Sequence, residues 1–216
     1  MVLDVPVATL EEITFEYEQG KPILEGLTAE FRAGTMTAIT GRSGVGKSTL
    51  LYILGLLVRP SLGRVRFADA DVANAPDRVR SHLRSSHIGF VFQDAVLDTS
   101  RSVVDNVVEG AAYGRGTRGR WVATATALLG SFIPDVEATR SAAHLSGGQA
   151  QRVAFCRALV NNPTVILADE PTGNLDPETA VHLIGRFRQE AINGRTVVVA
   201  THDPWVVDQC DEVIEL

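Results

Sequence analysis

Residues 41–48 read GRSGVGKS and match the spacing G-x-x-x-x-G-K-[ST]. The three glycines of this segment lack a Cβ, so the backbone can turn tightly and come close to an anion. Successive N–H groups at the start of a helix form a nest that binds phosphate. Lys47 would contact the β and γ phosphates of a nucleotide, and the Ser48 hydroxyl would ligate Mg²⁺. The predicted nucleotide-binding residues are Gly41, Arg42, Ser43, Gly44, Val45, Gly46, Lys47, Ser48 and Thr49. The alternative is a glycine turn that caps a helix by chance.

Two adjacent carboxylates form a second candidate for chemistry. Asp169 and Glu170 follow the apolar run 165–168, which is typical of a buried parallel strand that ends at the ligand-binding edge of an α/β sheet. We expect Asp169 to hold Mg²⁺ through water, as the second acidic element of phosphate-loop enzymes does. We expect Glu170 to orient the attacking water and to accept its proton. The alternative is a carboxylate pair that ends a strand in solvent.

Two polar side chains also follow apolar runs of the core-strand type. Gln93 stands directly after such a run and His202 one residue past the end of another, which places them at the same ligand-binding edge of a sheet. From there Gln93 can reach Mg²⁺ or the attacking water, and His202 can donate to the γ-phosphate or hold the water. The competing interpretation of Gln93 is an ordinary surface glutamine. With Lys47 and Glu170, these residues complete the predicted catalytic set.

A second anion site is predicted far from the first in the sequence. Residues 145–149 read LSGGQ and lead into a helix predicted over residues 150–160. Ser146 is suited to cap that helix, while Gly147 and Gly148 leave backbone N–H groups free at its N-terminus. One domain cannot easily direct two such sites at a single nucleotide, so the cluster points to a second copy of the chain. The alternative is a capped helix with a flexible entry.

The N-terminal segments predict a small antiparallel sheet ahead of the phosphate loop. Apolar and polar residues alternate over residues 13–17 and 23–31, as they do in half-buried strands. Tyr17 ends the first of these strands and is a candidate to stack its ring on a nucleotide base. The alternative is an ordinary strand aromatic.

The remaining elements are read from hydrophobic periodicity. Residues 35–40 and 49–54 predict a strand before the phosphate loop and a buried helix after it. Residues 77–86 predict a charged helix with a solvated face, and residues 94 to about 160 read as helix rather than strand. Within the latter, residues 114–120 form a glycine loop with three arginines. It is either a flexible solvated loop or a contact for lipid headgroups or an acidic partner.

The composition is that of one ordinary globular domain. The chain has 216 residues, of which 45% are apolar and 21% charged, and a net charge of −6. A nucleic-acid-binding domain is expected to carry a basic face, so nucleic acid is not an expected partner. Cys156 and Cys210 lack metal-ligand or disulfide spacing, and we expect them to be reduced and packed, as in a cytosolic protein. Residues 1–12 show no signal-peptide pattern, and the longest nearly apolar run, 50–58, is shorter than the roughly 20 residues that cross a bilayer. Any membrane connection is therefore expected through a partner.

The chain resembles an ATP-binding-cassette (ABC) ATPase over essentially its whole length. The resemblance is carried, in sequence order, by the phosphate loop, Gln93, the LSGGQ segment, the Asp169-Glu170 pair and His202. The resemblance implies an α/β fold of the P-loop NTPase type, with a RecA-like parallel sheet core and an N-terminal antiparallel β-subdomain. It also implies an α-helical subdomain inserted at roughly residues 94–160, within a single nucleotide-binding domain of residues 1–216.

The resemblance further implies the cofactors, the partners and the role of each residue. The implied cofactors are ATP and Mg²⁺. The implied partners are a second copy of the chain, in an ATP-sandwich homodimer, and an integral membrane permease that the helical subdomain contacts. The implied location is cytoplasmic, peripheral on the membrane through the permease. The metal ligands are Ser48, Gln93 and Asp169; Tyr17 stacks on adenine, Gln93 couples the site to the permease, Glu170 is the catalytic carboxylate, and His202 senses the γ-phosphate. Residues Ser146, Gly147, Gly148 and Gln149 contact ATP bound to the opposite copy, and Asp176, which also precedes a helix-starting proline, communicates across the dimer.

Residues 167–176 are similar to the branch of the family that includes lipoprotein-release, macrolide and antimicrobial-peptide export and cell-division ATPases. Phe155-Cys156 and Asp105 depart from residues common in the family, which bears on the substrate rather than on the core chemistry. A soluble ABC ATPase of DNA repair or translation is disfavoured, because those usually carry two cassettes or a long coiled-coil insertion. A nucleotide-gated clamp that signals to a cell-wall or cell-division machine without transport stays open.

Overall fold

The computed structural model describes residues 6–18, 20–68, 70–111 and 116–216. An antiparallel sheet is built from the N-terminal part of the chain, in the order β2-β1-β4-β5. Its strands are β1 (Pro6–Glu18), β2 (Lys21–Arg32), β4 (Leu62–Phe67) and β5 (Ala70–Asp71). On β1 the side chains of Ile13 and Phe15 are buried, as their alternation predicts, and Leu10 is buried on the other side of an irregularity at Glu12, which has φ 50. The predicted antiparallel sheet is confirmed, and β4 and β5 extend it.

A five-stranded parallel sheet forms the centre of the domain, in the order β6-β7-β8-β3-β9. Its strands are β3 (Met36–Thr40), β6 (Ile88–Val91), β7 (Val165–Asp169), β8 (Thr196–Ala200) and β9 (Glu212–Glu215). The strands β7 and β8 are buried along their whole length, because helices or the antiparallel sheet cover both faces. Carboxyl ends of parallel strands meet at one edge, so the residues after β3, β6, β7 and β8 converge there.

The helices surround this sheet and form a layer of their own. They are α1 (Lys47–Leu54), α2 (Asp77–His87), α3 (Val103–Glu109), α4 (Arg118–Phe132), α5 (Gly147–Leu159), α6 (Pro177–Ile192) and α7 (Pro204–Asp208), with a 3₁₀ turn at Ala142–His144. One apolar cluster joins the antiparallel sheet and α1 to the parallel sheet, and a second lies under α5 and α6. A third joins α3, α4 and α5 to one another. The limits of the helical layer as a subdomain, residues 94–160, stay a prediction.

Some sequence expectations needed correction or lie outside the described residues. The helix α2 is not simply a solvated face, because its Arg80 is only 2% exposed and donates to three backbone carbonyls. The helix α5 begins at Gly147, three residues earlier than predicted. The expectations for residues 1–5 and for the first two residues of the arginine loop, 114 and 115, lie outside the described part of the chain. None of the helices in the described ranges has the length and apolar character that a bilayer crossing demands.

Candidate nucleotide-binding site

A cavity of about 620 Å³ lies at the edge where the strands β3, β6, β7 and β8 end. It is lined by Tyr17, Ile23, Gly41, Arg42, Ser43, Gly44, Gly46, Lys47, Ser48, Thr49, Gln93, Glu170 and His202. The structure therefore brings together the phosphate loop and the three polar residues that the sequence placed at strand ends. This volume is within the range of small-molecule and cofactor sites.

The phosphate loop connects β3 to α1 through glycines that need their special backbone freedom. Gly46 has φ 114 and stands directly before α1, and a Cβ there would lie 2.9 Å from side-chain carbons of both Ile23 and Leu24. Gly41 and Gly44 also have positive φ values, 142 and 80. No side chain caps α1 at Gly46. Among the described residues, the first N–H groups of this helix are therefore available to donate to an anion.

Lys47 is the first residue of α1 and is held close to its own loop. Its Nζ donates to the carbonyl oxygens of Gly41, at 3.0 Å, and Arg42, at 3.3 Å. The same nitrogen lies 3.9 Å from Glu170 Oε1. The side chain is only 8% exposed, so its positive charge acts on the cavity with little screening by solvent.

Asp169, the last residue of β7, receives two hydrogen bonds from α1. Ser48 Oγ donates to Oδ1 at 2.9 Å, and the Tyr52 hydroxyl donates to Oδ2 at 2.8 Å. Burial, followed by the hydrogen bond to Asp169, raises the pKa of Tyr52 to about 12. Hydroxyl and carboxylate oxygens are the donors that Mg²⁺ prefers. The pair Ser48 and Asp169 therefore fits that ion chemically.

Glu170 follows β7 with φ 44, in the left-handed region. Its backbone N–H donates to Ala200 O at 2.8 Å, which fixes this turn against the end of β8. His202 Nδ1–H donates to Glu170 Oε1 at 2.8 Å. The carboxylate is 15% exposed and the imidazole 71%. Because one carboxylate oxygen is engaged by His202, the other is available to a water molecule in the cavity.

Gln93 lines the cavity from a loop that is bound by α5. Gln151 Nε2 donates to Phe92 O at 2.8 Å, one residue before Gln93. Arg157 donates to Ala95 O at 2.7 Å and to Val96 O at 2.8 Å. The sequence reasoning did not single out Gln151 or Arg157. Since both lie on the helix that begins at LSGGQ, this helix and the loop of Gln93 are mechanically joined.

Tyr17 also lines the cavity and has an exposed ring. It is 67% exposed, and its ring meets the Phe15 ring edge-on at a centroid distance of 4.8 Å. Its hydroxyl is 3.5 Å from Thr49 Oγ1. An exposed aromatic ring beside a phosphate loop is suited to stack on a base.

The LSGGQ segment does not line this cavity. Ser146 caps α5 by accepting from the backbone N–H of Gln149, while the Gln149 side chain accepts from the backbone N–H of Ser146. Asp176 likewise caps α6 by accepting from Thr179, which lowers the pKa of its carboxyl group. A Cβ added to Gly148 would lie 3.0 Å from Thr179 Cγ2. Both predicted helix caps are thus confirmed, and the two caps lie side by side, outside the phosphate cavity.

A scan against protein-family models matches the ABC transporter family over residues 24–173. The chain belongs to this family. It is 40% identical over 211 residues to the lipoprotein-releasing system ATP-binding protein LolD of Paramagnetospirillum magneticum, covering 96% of this chain and 93% of that protein. It is 39% identical over 214 residues to the macrolide export ATP-binding/permease protein MacB of Escherichia coli K12, covering 98% of this chain but 33% of that longer protein.

Solved structures of ABC ATPases share the fold of this chain. The dimeric ATP-binding cassette MJ0796 bound to ADP and Pi superposes with a TM-score of 0.86 at 33% identity, over 97% of this chain and 94% of that one. The cassette CbiO1 of Clostridium perfringens, part of the transporter complex CbiONQ, gives a TM-score of 0.84 at 31% identity, over 98% and 85% of the two chains. The predicted ABC ATPase fold is confirmed, and the chain is an ATP-binding ABC ATPase that serves a transporter.

Proposed function

We propose that two copies of this chain close head to tail around two ATP molecules and hydrolyse them to drive a membrane permease. The observation that carries the proposal is a division within one chain. The phosphate loop, Glu170 and His202 line one cavity, whereas Ser146 and Asp176 cap helices outside it. A complete site then requires the LSGGQ segment of a second copy.

Within one copy, catalysis is mainly positioning and charge stabilisation. The loop amides and Lys47 stabilise the negative charge of the γ-phosphate, and Tyr17 stacks on the adenine. Ser48, Asp169 and Gln93 would hold Mg²⁺, which supplies further positive charge at the phosphates. Those ligand assignments follow the oxygen chemistry of the three side chains.

Glu170 acts as the general base of this proposal. His202 engages Oε1, so Oε2 is left to accept the proton of the attacking water. His202 also contacts the γ-phosphate once nucleotide is bound. Gln93 reports that state to α5, because the backbone on both sides of it is bonded to that helix.

From the second copy, the Ser146 hydroxyl and the N–H groups of Gly147 and Gly148 face the γ-phosphate, together with Gln149. The capping box engages the N–H groups of Ser146 and Gln149, and the N–H groups of Gly147 and Gly148 at the positive end of the helix dipole favour this contact with an anion. Asp176 lies next to the segment and transmits closure between the two copies. The dimeric state of the similar cassette MJ0796, which is bound to ADP and Pi, supports this arrangement.

The permease is the membrane partner, and the chain lies on the cytoplasmic face of the membrane through it. The helical layer of residues 94–160 contacts the permease. The relatives named for lipoprotein release and macrolide export support a cargo of lipoprotein, peptide or antibiotic type. A nucleotide-gated clamp that signals without transport is the second candidate, since it uses the same residues.

Glu170→Gln is the decisive variant for the catalytic part. Phosphate release should fall about a hundredfold or more, the usual scale for loss of a general base, while ATP binding persists. Glu25→Gln, at an exposed position on β2, is the matched control and should keep wild-type turnover. Unchanged hydrolysis in the Glu170 variant would remove that residue from its role.

The dimer and the partner are tested with the same Glu170→Gln protein. With ATP, light scattering should report a dimer, and Ser146→Arg should abolish it by placing bulk and charge at the interface. A pull-down from membranes should recover an integral permease, and transport of cargo into vesicles separates a transporter from a clamp. A protein that stays monomeric with ATP and its permease would contradict the two-copy site.

A further inference from the structure

Both oxygens of the Asp169 carboxylate are engaged from one face of α1. Ser48 and Tyr52 are four residues apart, so their side chains point the same way from the helix. Ser48 holds Oδ1 at 2.9 Å and Tyr52 holds Oδ2 at 2.8 Å. The proposed function assigns roles to Ser48 and Asp169 but none to Tyr52.

The surroundings of Tyr52 fix its hydroxyl in place. Its ring meets the Phe92 ring edge-on, with centroids 6.4 Å apart, and Phe92 stacks on Phe90 at 5.5 Å. Asp169 itself is only 7% exposed and ends a fully buried strand. The carboxylate therefore cannot turn about its side-chain bonds without breaking the bond from Tyr52.

We propose that Tyr52 is a positioning residue for the divalent cation, because its bond to Oδ2 of Asp169 keeps Oδ1 turned toward the Ser48 hydroxyl, the other proposed cation ligand. This inference rests on the proposed function, which makes Ser48 and Asp169 cation ligands. Groups that orient a ligating carboxylate typically contribute 10- to 100-fold to metal affinity. Tyr52 thus sets how tightly the site holds its cation without touching either cation or nucleotide.

The test measures cation binding rather than turnover. Mn²⁺ is titrated into protein saturated with a non-hydrolysable ATP analogue, and free Mn²⁺ is followed by electron paramagnetic resonance. In Tyr52→Phe the dissociation constant for Mn²⁺ should rise about tenfold or more. Affinity for the same analogue in EDTA should stay within about twofold of wild type, because no nucleotide contact is removed.

Two further variants separate the explanations. Tyr52→Leu removes ring and hydroxyl together and should weaken Mn²⁺ binding as Tyr52→Phe does. If Tyr52→Phe binds Mn²⁺ like wild type while Tyr52→Leu does not, the residue acts by packing and the inference is wrong. It is equally wrong if Tyr52→Phe loses analogue affinity in EDTA.

Asp169→Asn distinguishes a failure of this inference from a failure of the proposed function. If Asp169→Asn weakens Mn²⁺ binding and Tyr52→Phe leaves it unchanged, only the role of Tyr52 is refuted. If Asp169→Asn also binds Mn²⁺ like wild type, the proposed cation site is refuted together with the inference that depends on it.

Discussion

The buried Arg80 offers the clearest quantitative test of how the phosphate helix is anchored. Its guanidinium donates to Ala73 O at 2.8 Å, Leu56 O at 2.9 Å and Val58 O at 3.0 Å. Hydrogen bonds to a charged group contribute about 1.5–3 kcal/mol each. Burial lowers the pKa of Arg80, so its charged form is desolvated at a cost that is recovered when the group is removed. Replacing Arg80 by Met loses three hydrogen bonds but also removes the cost of burying a charge. Because the second effect offsets part of the first, Arg80→Met should lower the free energy of unfolding by about 3 kcal/mol.

Urea denaturation followed by circular dichroism measures this change. Methionine retains much of the apolar stem, which isolates the polar contribution from loss of packing. Arg78→Met is the matched control: it lies two residues away on the same helix and is exposed, so its effect should be below about 0.5 kcal/mol. A loss of less than about 1 kcal/mol in Arg80→Met would refute the reasoning.

Two further predictions concern stability. Gly63 has φ 95, and a Cβ there would lie 2.5 Å from Glu12 O. Gly63→Ala should therefore lower the melting temperature markedly. Gly185 lies on α6 with open space around it, so the control Gly185→Ala should leave the melting temperature unchanged or raise it. The hydrogen bond from Arg188 lowers the pKa of Asp211. Its stabilisation is thus present above the unfolded pKa of about 4 and lost as pH falls through the folded value. Asp211→Asn should unfold in less urea at pH 7 and show a shallower stability loss below pH 4; equal pH profiles would contradict this.

The phosphate cavity was predictable because local rules decide where its residues stand. Gln93, Glu170 and His202 stand at the ends of apolar runs, Lys47 follows the glycine loop after another strand, and parallel strands end at a common edge. Once the strands are recognised, convergence of these side chains follows from the topology. The caps Ser146 and Asp176 were predictable for a similar reason, since capping depends on a few consecutive residues.

Other features depend on contacts between distant segments. Tyr52 meets Asp169 only because α1 packs beside β7, and its spacing from Ser48 was the single signal available in the sequence. Arg80 looked like part of a charged surface, because arginine is rarely buried. Two of its three acceptors, Leu56 O and Val58 O, belong to the irregular backbone after α1, where Leu56 has φ 59. No residue pattern in the sequence predicts these contacts.

The left-handed backbone at Glu170 favours glycine for stability, whereas the proposed catalysis needs a carboxylate at the same position. A residue with a Cβ in this region typically carries a strain of about 1–2 kcal/mol that glycine avoids. If random variants are selected for thermal stability alone, glycine should be enriched at this site. The selected protein would be more stable and would lack the general base. In a library sorted only for heat resistance, inactive survivors should therefore be enriched at this codon, and activity must be scored separately.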